Sequence, residues 1–117
     1  MLYKIENGGL KFSSFAELTS QLLNDHWKIE IINILMNGTQ RFGELKKQMD
    51  NITQKVLTSK LRLMEEIGIV ARKVYAEIPP KVEYNLTSLG KSLKPILDAM
   101  EEWGYKNFKL SEKIFNY

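Results

Sequence analysis

The chain has 117 residues, of which 44% are hydrophobic and 26% charged, a composition typical of one globular domain and not of a disordered chain. It contains no cysteine, which excludes disulfides, thiolate metal sites and thiol redox switches within this sequence, and its net charge of +3 is too small to identify a partner. No apolar run has the length of a signal-peptide core or a membrane span, so we expect a cytoplasmic protein with no membrane partner.

The first two predicted elements are amphipathic helices. Apolar residues at helical spacing predict one helix over residues 14–23. The second begins after Asn24 or Asp25, because a short polar side chain there can accept hydrogen bonds from free helical N–H groups. It carries Trp27, which we expect in the core, and it ends at Asn37 and Gly38.

A third helix over residues 42–49 and a fourth over residues 53–67 follow after a short break. Thr53 is a suitable cap for the fourth helix and Gly68 closes it. Its apolar face is predicted to contain Val56, Leu57, Leu61, Leu63, Met64 and Ile67. Its opposite face carries Gln54, Lys55, Thr58, Ser59 and Arg62. Lys60 falls on the apolar side, where its stem would lie along the edge of the core.

Residues 69–86 predict a β-hairpin, because β-branched and aromatic residues flank a turn that contains Pro79 and Pro80. The prolines cannot donate ladder hydrogen bonds but stiffen the connection. A lone hairpin is marginal in water, so its apolar face must pack on the helices while its tip stays in solvent. Arg72, Lys73 and Lys81 give the hairpin positive charge.

A last long helix is predicted over residues 88–104, capped by Thr87 or Ser88 and kinked at Pro95. Its apolar stripe contains Leu89, Leu93, Ile96, Leu97, Met100 and Trp103, and an aromatic tail follows with Tyr105, Phe108, Phe115 and Tyr117. One small domain cannot easily bury all of these side chains. We therefore expect a homodimer whose interface contains Phe15, Leu18, Leu97, Met100, Trp103 and Phe108.

The distribution of charge fits either a polyanion-binding face or a solvated helical face that is basic. Residues 41–62 contain six basic and two acidic residues, a net charge of +4, so the remainder of the chain carries −1. Two helices joined by a short turn, the second with a polar outer face, form the helix-turn-helix pattern, and the major groove of DNA admits such a helix. A hairpin directly after that helix is a wing, whose tip can reach the adjacent DNA backbone or minor groove.

The ordered segments "W…IINILMNGTQRFGELKKQM", "ITQKVLTSKLRLMEEIGIV", "YAEIPPKVEYNLTSLGKSL" and "EEWG" resemble the HxlR-type winged helix-turn-helix transcriptional regulators over residues 27–104. The resemblance implies a winged helix that dimerises through its terminal helices and binds operator DNA. It places the recognition helix within residues 53–67 and the wing over 69–86. Some members sense thiol stress through an N-terminal cysteine, a mechanism that this chain cannot share.

These observations predict one mainly helical domain over residues 1–117, with the helix-turn-helix at 41–67 and dimerisation helices at 14–23 and 88–104 plus the tail. We expect a homodimeric transcriptional regulator that binds a pseudo-palindromic operator on double-stranded DNA. The predicted DNA-binding residues are Arg41, Gln54, Lys55, Thr58, Ser59, Arg62, Arg72, Lys73 and Lys81. The alternative is a winged-helix module that binds protein without sequence-specific DNA binding.

No arrangement of nucleophile and base and no glycine-rich phosphate loop is present, so we expect neither an enzyme nor a bound cofactor or metal. The operator, the regulated genes, the choice between repression and activation, and the existence of a small-molecule effector stay open at this stage.

Overall fold

The fold comes from a computed structural model that describes the backbone of residues 3–4 and 11–109 and the side chains of residues 13–109. Within that part of the chain it is mainly helical, as predicted. The helices are α1 Phe15–Leu22, α2 His26–Met36, α3 Phe42–Gln48, α4 Gln54–Ile67, α5 Ser88–Lys91 and α6 Lys94–Phe108. The strands are β1 Tyr3–Lys4, β2 Lys11–Phe12, β3 Gln40–Arg41, β4 Val70–Tyr75 and β5 Lys81–Leu86.

The strands form two antiparallel sheets. β1 pairs with β2, a contact that the sequence did not predict. The second sheet has the order β3-β5-β4, so the predicted hairpin has a third, unpredicted strand along one edge. In its register Val70 lies opposite Leu86 and Tyr75 opposite Lys81, while Gln40 lies opposite Tyr84 on the other side of β5.

The core lies between α2, α3, α4, the base of the hairpin and the start of α6. It is built from the apolar faces that helical spacing predicted, and its most buried side chains are Ile31, Ile32, Leu45, Leu57, Leu61, Met64 and Val70. Trp27, predicted as a core residue, is half-buried and packs against this cluster. The hairpin tip extends away from the core into solvent, as predicted, with Ile78 fully exposed.

The base of the hairpin is joined to the end of α4 and the start of α5 by Thr87. Gly68 ends α4 with φ 91°, a left-handed conformation that glycine adopts without steric cost. The Thr87 hydroxyl donates to the carbonyl oxygens of Gly68 and Ile69, and it accepts from the N–H of Gly90 at 3.0 Å. Three elements therefore meet at one side chain, which holds the hairpin at a defined angle to α4.

The C-terminal region differs from the prediction of one helix kinked at Pro95. It forms two helices separated at Ser92 and Leu93, and Pro95 lies in the first turn of α6. Proline suits that position, because its missing N–H is one that the first turn leaves unpaired in any case. The helix also continues through Gly104 to Phe108, so Tyr105 and Phe108 are helical and not part of a tail. Phe115 and Tyr117 lie outside the described residues.

Two predicted apolar positions have a different environment from the one expected. Leu63 is 39% exposed, because it lies four residues after Ser59 and shares the outer side of α4 with it. Leu97, expected at a dimer interface, is only 7% exposed within the single chain and belongs to its core.

Candidate nucleic-acid interface

Local capping contacts define the helix-turn-helix, which consists of α3, the connection over residues 49–53 and α4. The backbone N–H of Arg41 donates to Glu44 Oε1 at 2.7 Å and so stabilises the start of α3. Thr53 Oγ1 accepts from the N–H of Val56 at 3.1 Å and caps α4, as predicted. Asn51 has φ 62° in the connection, a conformation that asparagine tolerates better than most residues.

The outer side of α4 carries the five polar residues predicted to contact DNA. Four of them are exposed and Thr58 is half-buried. All five line one shallow depression together with Leu63 and Glu66, and the five are Gln54, Lys55, Thr58, Ser59 and Arg62. Amide, hydroxyl, ammonium and guanidinium groups thus occupy a single helical surface. These are groups that read base edges and contact phosphates.

A cleft of about 420 Å³ separates α4 from the hairpin. Arg62 and Arg72 both line it, although they come from different elements. Gln54 and Thr58 contribute to the same cleft from α4, and Tyr84 contributes from β5. The cleft therefore connects the polar side of α4 to the inner face of the hairpin, and two arginines and Glu65 line it.

The basic residues of the hairpin do not share one face. Successive strand residues point to opposite sides, so Arg72 faces the cleft while Lys73 faces away from it. Lys81 shares the outer face with Lys73, since Lys81 pairs with Tyr75 in the register and Tyr75 lies two residues beyond Lys73. The ammonium groups of both lysines lie 4.8 Å from the centre of the Tyr75 ring, within cation–π range.

Glu83 lies in the middle of this outer face, on the central strand β5. Its carboxylate is 3.6 Å from the ammonium group of Lys81. A hydrogen bond from Tyr75 has the largest effect on the pKa of Glu83 and lowers it. Burial has the next largest effect and raises this pKa, while Lys81 and the charge of Arg41 lower it, so that the pKa is lowered overall. Glu83 is therefore a carboxylate at neutral pH, surrounded by cations. Neither Glu83 nor Tyr75 was among the predicted site residues.

Lys60 is held away from the polar side of α4. Its ammonium group forms an ion pair with Asp25, which also caps α2 by accepting from the N–H of Trp27 at 2.8 Å. Burial alone would raise the pKa of Asp25, but hydrogen bonds from Lys60 and Trp27, with the charges of Lys60 and Lys28, lower it overall. This contact fixes α4 against α2 and removes Lys60 from the basic surface.

Seven of the nine predicted residues are brought together in two places. Gln54, Thr58, Arg62 and Arg72 line the cleft, and Arg41, Lys73 and Lys81 lie around Glu83 on the outer face. The other two, Lys55 and Ser59, lie on the outer surface of α4 outside the cleft. Among residues 13–109, no group of His, Asp and Glu side chains is arranged to hold a metal ion. No helix of the described chain has the length and apolar character needed to cross a membrane.

Comparisons of sequence and of structure with known proteins all match helix-turn-helix proteins. A profile of the HxlR-like helix-turn-helix family matches residues 22–112. The HTH-type transcriptional regulator YkvN of Bacillus subtilis strain 168 is 49% identical over 94 residues, which cover 80% of this chain and 80% of YkvN.

Two solved structures are similar in both sequence and fold. A crystal structure of the HTH-type transcriptional regulator YtcD has a TM-score of 0.78 at 43% identity and covers 83% of this chain and 99% of that one. The redox regulator HypR in its reduced form has a TM-score of 0.79 at 41% identity and covers 86% of this chain and 99% of that one. These similarities extend over the helix-turn-helix and the hairpin that carry the polar surfaces described above.

Proposed function

Since the chain belongs to the HxlR-like helix-turn-helix family and is a DNA-binding transcriptional regulator, we propose that it binds a pseudo-palindromic operator as a homodimer. In this proposal α4 lies in the major groove as the recognition helix, and the hairpin lies beside it as a wing over the DNA backbone. The relatives are HTH-type transcriptional regulators, which favours this interpretation over a module that binds only protein.

The observation that carries the proposal is the shared outer surface of Gln54, Lys55, Thr58, Ser59 and Arg62 on α4. Glutamine can make two hydrogen bonds to adenine, and lysine or arginine can do so to guanine. Glu65 and Glu66 lie in the last turns of α4, so the start of the helix is free of acidic side chains and is suited to enter the groove first. The N–H groups at that start also favour a nearby phosphate.

The cleft between α4 and the wing is a candidate site for the DNA backbone at the edge of the major groove. Arg62 and Arg72 line it from opposite sides and outnumber the one acid among the described residues there, Glu65, so a phosphate group between the two arginines would be contacted by both guanidinium groups. This would fix the distance between the recognition helix and the wing on DNA. Lys73 and Lys81 would contact phosphates from the outer face of the wing.

Exposed apolar side chains on α6 support the homodimer. Ile96, Met100 and Trp103 are 41%, 47% and 63% exposed and follow one another at helical spacing. They line one shallow apolar groove together with Pro95 and Ala99. A second copy of the chain, related by a two-fold axis, would cover this surface with the same residues. Phe15, which is 61% exposed, and the half-buried Leu18 and Phe108 remain candidates for the interface.

Selection of bound duplexes from a random-sequence pool tests the proposal and also yields the operator. We expect two inverted half-sites whose centres lie about 10 base pairs apart or a multiple of that spacing, because two recognition helices of a two-fold dimer enter major grooves about 34 Å apart. Enrichment of a single half-site without an inverted copy would contradict the dimeric arrangement. The absence of any enriched sequence would contradict specific recognition by α4.

A further inference from the structure

The outer face of the wing contains one acidic side chain among three basic ones. In the sheet register, Glu83 on β5 lies directly opposite Arg41 on β3 and directly opposite Lys73 on β4. Lys81 lies two residues earlier on β5 and therefore on the same face. An acid on the central strand is thus bordered by a cation on each neighbouring strand and by a third on its own strand.

The contacts within this cluster are specific. The Glu83 carboxylate lies 3.6 Å from the Lys81 ammonium group, and the nearby Tyr75 hydroxyl lowers its pKa. The Tyr75 ring in turn lies 4.8 Å from the ammonium groups of both Lys73 and Lys81. The Glu83 and Lys81 side chains are 23% and 31% exposed, so water screens their attraction less than that of a fully exposed pair.

The Glu83 carboxylate pairs with Lys81 and is bordered by Arg41 and Lys73 on the neighbouring strands, so it lies where a phosphate would meet the same three cations. Opposite charges directly across a sheet stabilise it, whereas Arg41, Lys73 and Lys81 without Glu83 would repel one another. The same three cations are the groups with which the outer face of the wing would contact the DNA backbone. A phosphate that approaches them must compete with Glu83.

We propose that Glu83 takes the place of a DNA phosphate in the free protein and thereby limits the affinity of the wing for DNA of any sequence. This inference rests on the proposed function, in which the wing contacts the backbone. Affinity for random DNA comes almost entirely from phosphate contacts, whereas operator affinity also includes base contacts from α4. Glu83 therefore lowers affinity for operator and random DNA alike, without contacting a base.

The test is the variant Glu83→Gln, which removes the charge but keeps an amide oxygen that can accept the hydrogen bond from Tyr75. Affinity for a random-sequence duplex is measured by fluorescence anisotropy between about 50 and 200 mM KCl. About a fourfold range of salt concentration suffices to define the slope of the logarithm of affinity against the logarithm of salt concentration. We expect random DNA to bind about two- to fivefold more tightly, the range for one partly exposed charge, and the salt slope to steepen by about one unit. Operator affinity should rise by about the same factor, because the wing would contact the backbone in both complexes.

Glu77→Gln is the matched control, because Glu77 is an exposed acid of the same wing outside the cluster. It changes the net charge of the protein equally, and we expect it to alter random-DNA affinity by less than about twofold. Circular dichroism verifies that both variants remain folded. An unchanged or weakened random-DNA affinity in Glu83→Gln, or an equal increase in Glu77→Gln, would overturn the inference.

Lys73→Ala in the same titration separates this inference from the proposed function. If Lys73→Ala weakens random-DNA binding while Glu83→Gln has no effect, the wing contacts DNA but Glu83 does not limit its affinity. If neither variant has an effect, the wing does not contact the backbone, and both the inference and that part of the proposed function are wrong.

Discussion

Replacing Gly90 with alanine should strongly destabilise the junction between the wing and α5. A Cβ atom at this position would lie 2.3 Å from the carbonyl oxygen of Ile69 and 3.1 Å from Leu86 Cδ2. The Ile69 oxygen is a backbone atom and cannot rotate away. It also accepts hydrogen bonds from the N–H of Thr87 at 3.0 Å and from the Thr87 hydroxyl at 3.1 Å. Relief of the clash would therefore stretch both of these bonds.

The size of the effect follows from these contacts. Overpacking costs about 1–3 kcal/mol, and each weakened hydrogen bond adds up to about 1 kcal/mol. The higher helix propensity of alanine returns about 1 kcal/mol, which leaves a net loss of about 2 kcal/mol in the free energy of unfolding at the middle of these ranges. For a domain of this length, each kcal/mol corresponds to about 4 °C, so Tm should fall by about 8 °C.

Thermal unfolding followed by circular dichroism at a fixed protein concentration measures this shift. Gly43→Ala is the control, because Gly43 is exposed on α3 and no atom lies within 4 Å of the added Cβ. It should leave Tm unchanged or raise it by up to about 4 °C. A Tm for Gly90→Ala equal to that of the unaltered protein would refute the steric reasoning.

Three further predictions concern the α2–α4 contact, the dimer and redox sensitivity. Asp25→Asn keeps a capping side chain but removes the ion pair with Lys60. Because the pKa of Asp25 is lowered in the folded state, its stabilisation is present above its unfolded pKa of about 3.9 and is lost as pH falls through the folded value. Thermal unfolding should therefore show that Asp25→Asn is less stable than the unaltered protein by about 1 kcal/mol at pH 7 and nearly equal to it in strong acid. A stability difference that does not depend on pH would contradict a stabilising ion pair between Asp25 and Lys60. In sedimentation experiments at micromolar concentration the unaltered chain should run at twice 13.6 kDa and Trp103→Glu at 13.6 kDa, whereas a monomer without any substitution would contradict the dimer. Diamide should leave operator affinity unchanged in a binding titration, since the chain has no cysteine, and reversible release of the operator would show that another sensing chemistry exists.

The sequence predicted α4 and its polar surface because local rules determine them. Short-range capping by Thr53 and Gly68 sets the two ends of α4, and helical spacing places Lys55, Ser59 and Arg62 on one side. The exception is Leu63, which helical spacing assigned to the apolar face although it shares the outer side of α4 with Ser59. The assignment of α4 and the wing to a winged helix followed from their order along the chain.

The rest depended on contacts between residues far apart in the sequence. Alternation along β5 indicates that Lys81 and Glu83 share a face, but only the strand register brings Arg41 and Lys73 beside them. The two-residue strand β3 is too short for any alternation to reveal it. The ion pair that withdraws Lys60 from the basic surface likewise requires the packing of α2 against α4.

The division of roles between recognition helix and wing is tested most directly by comparing Lys55→Ala with Lys73→Ala on the selected operator and on a random duplex. We expect Lys55→Ala to narrow the free-energy gap between the two DNAs by about 1–3 kcal/mol, because a base contact is lost. Lys73→Ala should weaken both complexes alike and reduce the salt slope by about one unit. The same specificity ratio and the same salt slope in both variants would contradict the account.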